Sequence, residues 1–176
     1  MARVNYLDEK TTRIAEELVN PIKKRRPNGR LLNLDKVLIH SEALTKGWQA
    51  MFSQLRQNLS TPSALNELVI LRVALINKAL YEFQQHEPEA SKAGISASKI
   101  NALAMWDTSN LFSPTERAVL AYTDAMTRFI QVPDSIYNEV KVYFNEQQIV
   151  ELTALIAGYN MVSRFLEALE ITTEGE

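Results

Sequence analysis

The chain has 176 residues, of which 46% are hydrophobic and 23% are charged. This mixture is ordinary for a globular protein and excludes a disordered chain, and the length fits one domain that folds without disulfides or metals. Cysteine is absent, which excludes disulfide frameworks, zinc–thiolate sites, iron–sulfur clusters and thiol-based mechanisms. The formal net charge of −2 disfavours a globally basic nucleic-acid binder.

The N-terminus and the apolar stretches predict a soluble, cytoplasmic protein. The first segment, MARVNYLDEKTTR, is charged and has no apolar core of the kind that secretory signals carry. The best candidate for a membrane span, LVILRVALI at 68–76, is too short to cross a bilayer and is interrupted by Arg72. We therefore expect no membrane contact.

Helical signals begin close to the N-terminus. A first helix is predicted from Asp8 to Val19, and Asn20–Pro21 is expected to end it, because proline disfavours the helical conformation of the residue before it. The basic run Lys23–Arg30 is predicted to be a loop with turn chemistry at Pro27-Asn28-Gly29. In isolation this run resembles a nucleic-acid patch, but no aromatic residue interleaves it, so we expect no nucleic-acid partner and at most guidance of an anionic substrate.

The rest of the chain reads as helices joined by short turns, and no segment alternates strictly enough to predict a sheet. The clearest helix start is Ser113-Pro114-Thr115-Glu116, a capping box with proline at the first helical position. Ser41 is a candidate cap, Asn145 with Gln148 is another, and Ile171–Glu176 is expected to be a frayed tail. The predicted helices after the first lie at about 35–58, 65–76, 79–93, 97–106, 114–129, 134–144 and 145–169.

The chain has two histidines, His40 and His86. His86 is the stronger candidate for a catalytic residue, because it has a carboxylate at helical spacing. On a helix, Glu82 and His86 are i,i+4 neighbours, and a carboxylate beside an imidazole raises the histidine pKa and orients its ring, which suits proton transfer near neutral pH. The alternative is an exposed ion pair worth only a few tenths of a kcal/mol.

Glu67 opens the apolar segment that contains Arg72. Such charges are costly to bury unless they are paired, and the alternatives are a helix-terminal charge for Glu67 and a surface position for Arg72. On one straight helix, Glu67 and His86 would lie about 28 Å apart. They share a site only if the chain reverses between them, and Asn77-Lys78 is the best place, because asparagine tolerates the left-handed conformation that ends helices.

The segment ELVILRVALINKALYEFQQHEPEASKAG resembles the core motif of the carboxymuconolactone decarboxylase family, which includes the alkylhydroperoxidase D-like proteins. The peroxidase branch has Glu, eleven residues, Cys, two residues, Cys, three residues, His. The same spacing here gives Glu67, Ala79, Glu82 and His86. The resemblance continues in SPTERAVLAYTDAMT and VPDSIYNEVKVYFNEQQIVELTALIAGYNMVSRF, so it covers most of the chain after about Asn33.

The resemblance implies an alkylhydroperoxidase D-like, all-α fold: a compact single-domain bundle of seven to nine helices that assembles into a homo-oligomer. We expect one domain over 1–176, with the N-terminal helix and basic loop at 1–32 and the family core at 33–170. Lys78 stands where the peroxidase branch has glycine, so the helix break must rest on Asn77 or on a strained Lys78.

The absence of both cysteines excludes thiol peroxidase chemistry for this chain. The decarboxylase branch needs neither thiol nor cofactor. It removes carbon dioxide from a small lactone acid, which calls for a general acid, stabilisation of a developing oxyanion and a cation for the carboxylate. The resemblance implies Glu82 and His86 as the acid–base pair, with Glu67 relaying protons or orienting the ring.

Substrate-binding candidates lie on three segments. Arg164 and, as the weaker candidate in its apolar segment, Arg72 supply cations, while Asn160 shares a helix face with Arg164 and follows Tyr159. Asn160 equally fits a purely structural hydrogen-bonding role, and His40 either lines the pocket or is a satisfied structural histidine. The E-x-x-x-H pattern alone is too weak to predict a metal site.

Two hypotheses follow from these residues. The first is a cofactor-independent decarboxylase or proton-transferring isomerase that acts on a small carboxylated lactone or ring compound, an anionic substrate. The second is a non-catalytic family member that serves as a small-ligand-binding or assembly scaffold. Burial of Glu67, Glu82 and His86 together favours catalysis, and their separation on an open surface favours the scaffold.

Overall fold

A computed structural model describes residues 2–7 and 16–175 of the chain. Nine α-helices and no strand occur within these residues, which confirms the all-α prediction. Short 3₁₀ turns lie at Pro27–Gly29 and Leu103–Met105. The helices are α1 (Glu16–Arg25), α2 (Asn33–Leu38), α3 (Glu42–Gln57), α4 (Ser63–Asn77), α5 (Leu80–Lys92), α6 (Ala97–Ala102), α7 (Pro114–Phe129), α8 (Asp134–Tyr143) and α9 (Glu146–Ala168).

Backbone contacts group the chain into two compact units. The first consists of the described residues up to Asn58 together with 166–175, and the second consists of 59–165. The expected single domain over 1–176, with its division at 32, stays a prediction. The first unit contains a hydrophobic cluster whose buried residues are Leu18, Val19, Ile22, Leu31 and Ile39.

The predicted end of the first helix at Asn20–Pro21 is wrong, because α1 continues through Pro21 to Arg25. The part of that prediction over 8–15 lies outside the described residues. An interior proline costs a helix one hydrogen bond and about 3 kcal/mol. Leu18 and Val19 before Pro21, and Ile22 after it, are all buried, so packing on both sides of the proline offsets this cost.

The basic run Lys23–Arg30 is only in part the loop that the sequence predicted: the turn at Pro27-Asn28-Gly29 is confirmed, but the residues up to Arg25 are helical. Its first part forms the last turn of α1, where positive charge is stabilised by the helix dipole. Arg26 makes a bidentate ion pair with Asp35, at 2.7 and 2.9 Å. The turn follows at Asn28 and Gly29, both at positive φ. Asp35 also accepts a hydrogen bond from the Leu32 amide, so the basic run helps to hold the start of α2.

The tail after α9 is ordered as far as it is described, which overturns the expectation of fraying from Ile171. Ile171 is buried, and the Thr172 amide donates to the Tyr6 hydroxyl. The Asn33 side chain donates to the Thr172 carbonyl, and the Asn33 amide donates to the Glu174 carboxylate. These partners are more than 100 residues away in sequence, so no local signal at the tail indicated them.

The second unit is organised around α4. Eight residues of this helix are buried, because apolar side chains occupy nearly its whole circumference. The start of α4 has no side-chain cap. At the start of α7, by contrast, the predicted capping box between Ser113 and Glu116 is confirmed. The hydrophobic cluster around α4 consists of Leu68, Leu71, Ala90, Ile95, Ile100, Leu103, Phe112 and Leu120.

The helix α9 is the most membrane-like element among the described residues. By length and composition alone it passes as a bilayer span, although half of that stretch is buried inside the protein. Core helices of globular proteins meet the same criterion, so this is weak evidence for a membrane segment. The sequence had singled out the shorter stretch at 68–76, which forms part of α4.

The chain reverses between α4 and α5, at the place that the sequence indicated for a site shared by Glu67 and His86. Lys78 adopts the left-handed conformation, with φ 57° and ψ 29°. The Ala79 amide donates to the Ala74 carbonyl, and the Lys78 amide donates to the Leu75 carbonyl, which is the Schellman pattern of a helix end. Asn77 remains the last helical residue, so the strained position is Lys78 rather than Asn77.

Replacing Lys78 by glycine is expected to stabilise the fold by roughly 0.5–1 kcal/mol, because glycine has no Cβ to oppose the left-handed conformation. Urea unfolding followed by circular dichroism measures the difference. Lys78→Ala is the matched control, since it removes the charge but keeps Cβ, and it should bring no gain. A Lys78→Gly variant no more stable than Lys78→Ala would contradict the assignment of strain.

Candidate functional site

The reversal brings together the three residues that the sequence selected for acid–base chemistry. His86 Nδ1 lies 2.7 Å from Glu67 Oε2, and His86 Nε2 lies 3.0 Å from Glu82 Oε1. Glu67 comes from α4, whereas Glu82 and His86 come from one face of α5, four residues apart. Each ring nitrogen of the imidazole therefore faces its own carboxylate.

This acid–imidazole–acid cluster is sheltered from solvent. Glu82 and His86 are each 4% exposed, so the alternative of an exposed surface ion pair is wrong. Burial by itself lowers the pKa of His86, but the charge of Glu82 and the hydrogen bonds to Glu67 and Glu82 outweigh it and raise the pKa to about 9. At neutral pH the imidazole is protonated and donates to both carboxylates.

Besides the two carboxylates, the imidazole of His86 contacts an aromatic ring. Tyr159 of α9 is fully buried and packs edge-to-face with His86, with ring centroids 5.2 Å apart and an interplanar angle of 88°. Such an arrangement is one of the favoured geometries of ring pairs. Tyr159 therefore packs against the acid–imidazole–acid cluster.

The elevated pKa of His86 predicts that stability falls at alkaline pH. An unfolded histidine titrates near 6.5, and His86 in the folded chain titrates at about 9. Between these values the folded state binds more protons, so the free energy of unfolding should fall by roughly 1 kcal/mol per pH unit as pH rises. The stabilisation is complete below pH 6.5 and lost through pH 9. Urea unfolding across this range measures the slope.

His86→Gln is the control for this pH dependence, because it keeps a hydrogen-bonding side chain but cannot take up the proton. Its unfolding free energy should vary less steeply over the same range. An unchanged slope in His86→Gln would show that another group is responsible.

Arg72, the weaker cation candidate, is occupied elsewhere in the fold. Its guanidinium forms a bidentate pair with Asp124, both contacts at 2.6 Å, and also donates to the Leu103 and Ala104 carbonyls. Asp124 in turn accepts from Trp106 Nε1 at 3.3 Å. Binding a substrate carboxylate would require Arg72 to exchange these bonds, so its expected substrate role stays a prediction.

Asn160 and Arg164 lie on one face of α9, as predicted from their spacing. Arg164 is exposed and donates to Asn160 Oδ1 at 2.7 Å. Asn160 Oδ1 also accepts from Asn77 Nδ2, and Asn160 Nδ2 donates to Thr127 Oγ1 and to the Ile156 carbonyl, all at 3.0 Å. Asn160 is thus bonded to the end of α4 and to α7, while Arg164 presents a cation at the surface.

His40 belongs to the first unit, whereas Glu67, Glu82 and His86 belong to the second. It is exposed, and its Nε2 donates to the Asn5 carbonyl at 2.8 Å. This contact fits the structural alternative for His40, and its expected pocket-lining role stays a prediction.

Sequence reasoning did not identify Asp124, Asn77 or Thr127 as polar partners of the candidate residues. The one signal for Asp124 was the cost of burying Arg72, which requires a carboxylate somewhere in the fold. The partner is 52 residues away, and neither its identity nor the partners of Asn160 follow from sequence spacing.

The chain is similar to proteins of one family. The family model described as "Carboxymuconolactone decarboxylase family" matches residues 42–125. The uncharacterized protein YdfG of Bacillus subtilis is 30% identical over 105 residues, which are 58% of this chain and 71% of that protein.

Two solved structures have the same fold. The alkylhydroperoxidase AhpD core of a peroxidase-related protein from Ralstonia eutropha has a TM-score of 0.84 at 12% identity, over 99% of this chain and 93% of that one. The debrominase Bmp8 in complex with 2,3,4-tribromopyrrole has a TM-score of 0.82 at 19% identity, over 98% and 91% of the two chains. Together with the sequence matches, they confirm the predicted alkylhydroperoxidase D-like fold, and the chain belongs to the carboxymuconolactone decarboxylase family.

Proposed function

We propose that this protein is a cofactor-independent decarboxylase or proton-transferring isomerase that acts on a small carboxylated lactone or ring compound. The observation that carries the proposal is the buried imidazole of His86 with a carboxylate at each ring nitrogen. A sheltered acid–base group of this kind is suited to moving a proton to or from carbon.

In this proposal His86 is the general acid. It is protonated at neutral pH because its pKa is raised to about 9 by Glu82 and Glu67, against the opposing effect of burial. After it gives up its proton, the neutral ring is reprotonated through a carboxylate. Glu67 suits this relay better than Glu82, because 15% of its side chain is exposed against 6% for Glu82.

The decarboxylation consists of one bond cleavage and one proton transfer. The electron pair of the bond to the departing carboxylate flows toward a carbonyl of the substrate, carbon dioxide leaves, and the resulting enolate takes one proton at carbon. In the isomerase alternative, a carboxylate of the cluster accepts a proton from one carbon and His86 donates a proton to another carbon, with no loss of carbon dioxide. Both reactions use the same proton carrier and require no cofactor.

The substrate-binding part of the proposal rests on Arg164 and Tyr159 of α9. Arg164 offers an exposed cation for the substrate carboxylate, and Tyr159 lies against His86. For Asn160, Arg72 and His40 the substrate-binding role expected from the sequence stays a prediction, and each of them already has a hydrogen-bond partner within the chain. The small ring compound in the Bmp8 complex supports a substrate of similar size.

The competing function is a non-catalytic ligand-binding or assembly scaffold. One observation favours it: both ring nitrogens of His86 already have partners within the chain, so the cluster also serves to join α4 to α5. The two functions differ in whether the proton on His86 is ever exchanged with a substrate.

A panel of small lactone acids and keto acids in heavy water separates these functions. A decarboxylase releases carbon dioxide and leaves one deuteron on the carbon that carried the carboxylate, read by mass spectrometry and NMR. An isomerase incorporates deuterium without releasing carbon dioxide. Binding by calorimetry with neither result across the panel would favour the scaffold and count against the enzyme.

We also propose that the protein is a homo-oligomer in the cytoplasm. The large apolar side chains of Phe129 and Ile130 are 71% and 85% exposed, and exposed apolar surface of this kind commonly marks contacts between chains. Light scattering coupled to size-exclusion chromatography gives the number of subunits. A monomer at micromolar concentration would contradict the assembly.

A further inference from the structure

The carboxamide of Asn160 has four hydrogen bonds and no spare capacity. A primary amide offers two N–H donors and two acceptor lone pairs. Here the oxygen accepts from Asn77 and Arg164, and the nitrogen donates to Thr127 and to the Ile156 carbonyl. A substrate could bind this group only by displacing one of these partners.

The partners of Asn160 are placed where they control the geometry of the acid–base cluster. Asn77 is the last residue of α4, immediately before the left-handed Lys78 that turns the chain into α5. Thr127 is buried near the end of α7. The amide therefore connects α9 to the reversal on one side and to α7 on the other.

The neighbour of Asn160 in sequence is Tyr159, whose ring packs edge-to-face on His86. Because successive helix residues are separated by a fixed rotation of about 100°, fixing Asn160 also fixes the direction in which Tyr159 points. Packed helices rotate and slide by small amounts, and side-chain bonds that cross between helices limit these movements.

We propose that Asn160 is a positioning residue, whose carboxamide holds the α4–α5 reversal and the rotation of α9 so that His86 stays between Glu67, Glu82 and Tyr159. It acts through Asn77 and Tyr159, without contacting the substrate. Its effect on turnover rests on the proposed function, whereas its effect on the geometry around His86 does not.

The test compares Asn160→Leu, which keeps the size of the side chain and removes all its polar atoms, with a control that loses another bond between the same helices. Tyr122→Phe is that control, because the Tyr122 hydroxyl of α7 lies 2.8 Å from Thr153 Oγ1 of α9. The readout is an NMR titration of the His86 ring nitrogens in the full chain, with His40→Gln as the common background, which leaves His86 as the one histidine.

The titration midpoint of His86 should fall by about one pH unit in Asn160→Leu, because a loosened reversal weakens the contacts with both carboxylates. Tyr122→Phe should leave the midpoint unchanged while lowering the free energy of unfolding. With a substrate in hand, Asn160→Leu should lower kcat by roughly tenfold with little change in KM. If no compound is turned over by the unmodified protein, the proposed function fails and the titration still decides the positioning role.

An unchanged His86 titration in Asn160→Leu, with a loss of stability like that of Tyr122→Phe, would overturn the proposal. A raised KM with an unchanged titration would also overturn it, since Asn160 would then bind the substrate directly. Asn77→Ala removes only one of the four bonds and should shift the midpoint in the same direction by less. If Asn160→Leu does not fold, Asn77→Ala decides, and an unshifted midpoint there overturns the proposal.

Discussion

His86→Ala is expected to lower kcat on the substrate by roughly 10²–10⁴-fold, the range over which positioned acid–base groups contribute to catalysis. The variant removes the group that carries the proton, while Glu67 and Glu82 remain. The loss should appear in kcat as well as in kcat/KM, because proton transfer belongs to the transition state and not to ground-state binding. Steady-state kinetics on the compound identified from the acid panel measures both constants.

Glu82→Gln should also lower kcat strongly, because it keeps the size and hydrogen-bonding capacity of the side chain but removes the charge next to His86 Nε2. The matched control is Glu89→Gln on the same helix, where the carboxylate makes an exposed ion pair with Lys92 at 2.7 Å. This control should keep kcat within about twofold, since exposed pairs contribute little. Near-normal turnover in both His86→Ala and Glu82→Gln would remove the acid–base assignment.

Arg72→Met is expected to destabilise the fold by about 3–5 kcal/mol, the usual cost of removing one partner of a buried ion pair. The side chain of Arg72 is 6% exposed and that of Asp124 is 22% exposed. The variant would leave Asp124 without its bidentate partner, and the Leu103 and Ala104 carbonyls without their donor. Urea unfolding followed by circular dichroism gives the change in free energy.

Arg128→Met is the matched control, because Arg128 faces the same Asp124 carboxylate at 3.8 Å with 47% of its side chain exposed. Its loss should cost less than about 1 kcal/mol. Similar stability of the two variants would contradict the structural role of Arg72. A raised KM with unchanged stability in Arg72→Met would instead support the substrate-binding role expected from the sequence.

Local chemistry made much of the helical fold predictable. The capping box at Ser113 needs only neighbouring residues, and it is confirmed. The reversal near Asn77-Lys78 was predicted only on the condition that Glu67 and His86 share a site, since on one straight helix they would be far apart. Pro21 shows the limit of such reasoning. The local cost of a proline inside a helix is a few kcal/mol, and the free energy gained by burying Leu18, Val19 and Ile22 exceeds this cost.

The sequence by itself determined the all-helical fold, the placement of Glu82 and His86 on one helix face and the absence of cysteine thiols, because helix periodicity, i,i+4 spacing and residue type act over a few residues. Glu67, 19 residues before His86, reaches it only through the reversal at Lys78. Only the tertiary structure decided that Arg72 pairs with Asp124 and that Asn160 joins α4 to α7. These contacts link residues 52 and 83 positions apart. Their partners are selected by how helices pack against one another, and that packing depends on all the side chains of the unit together.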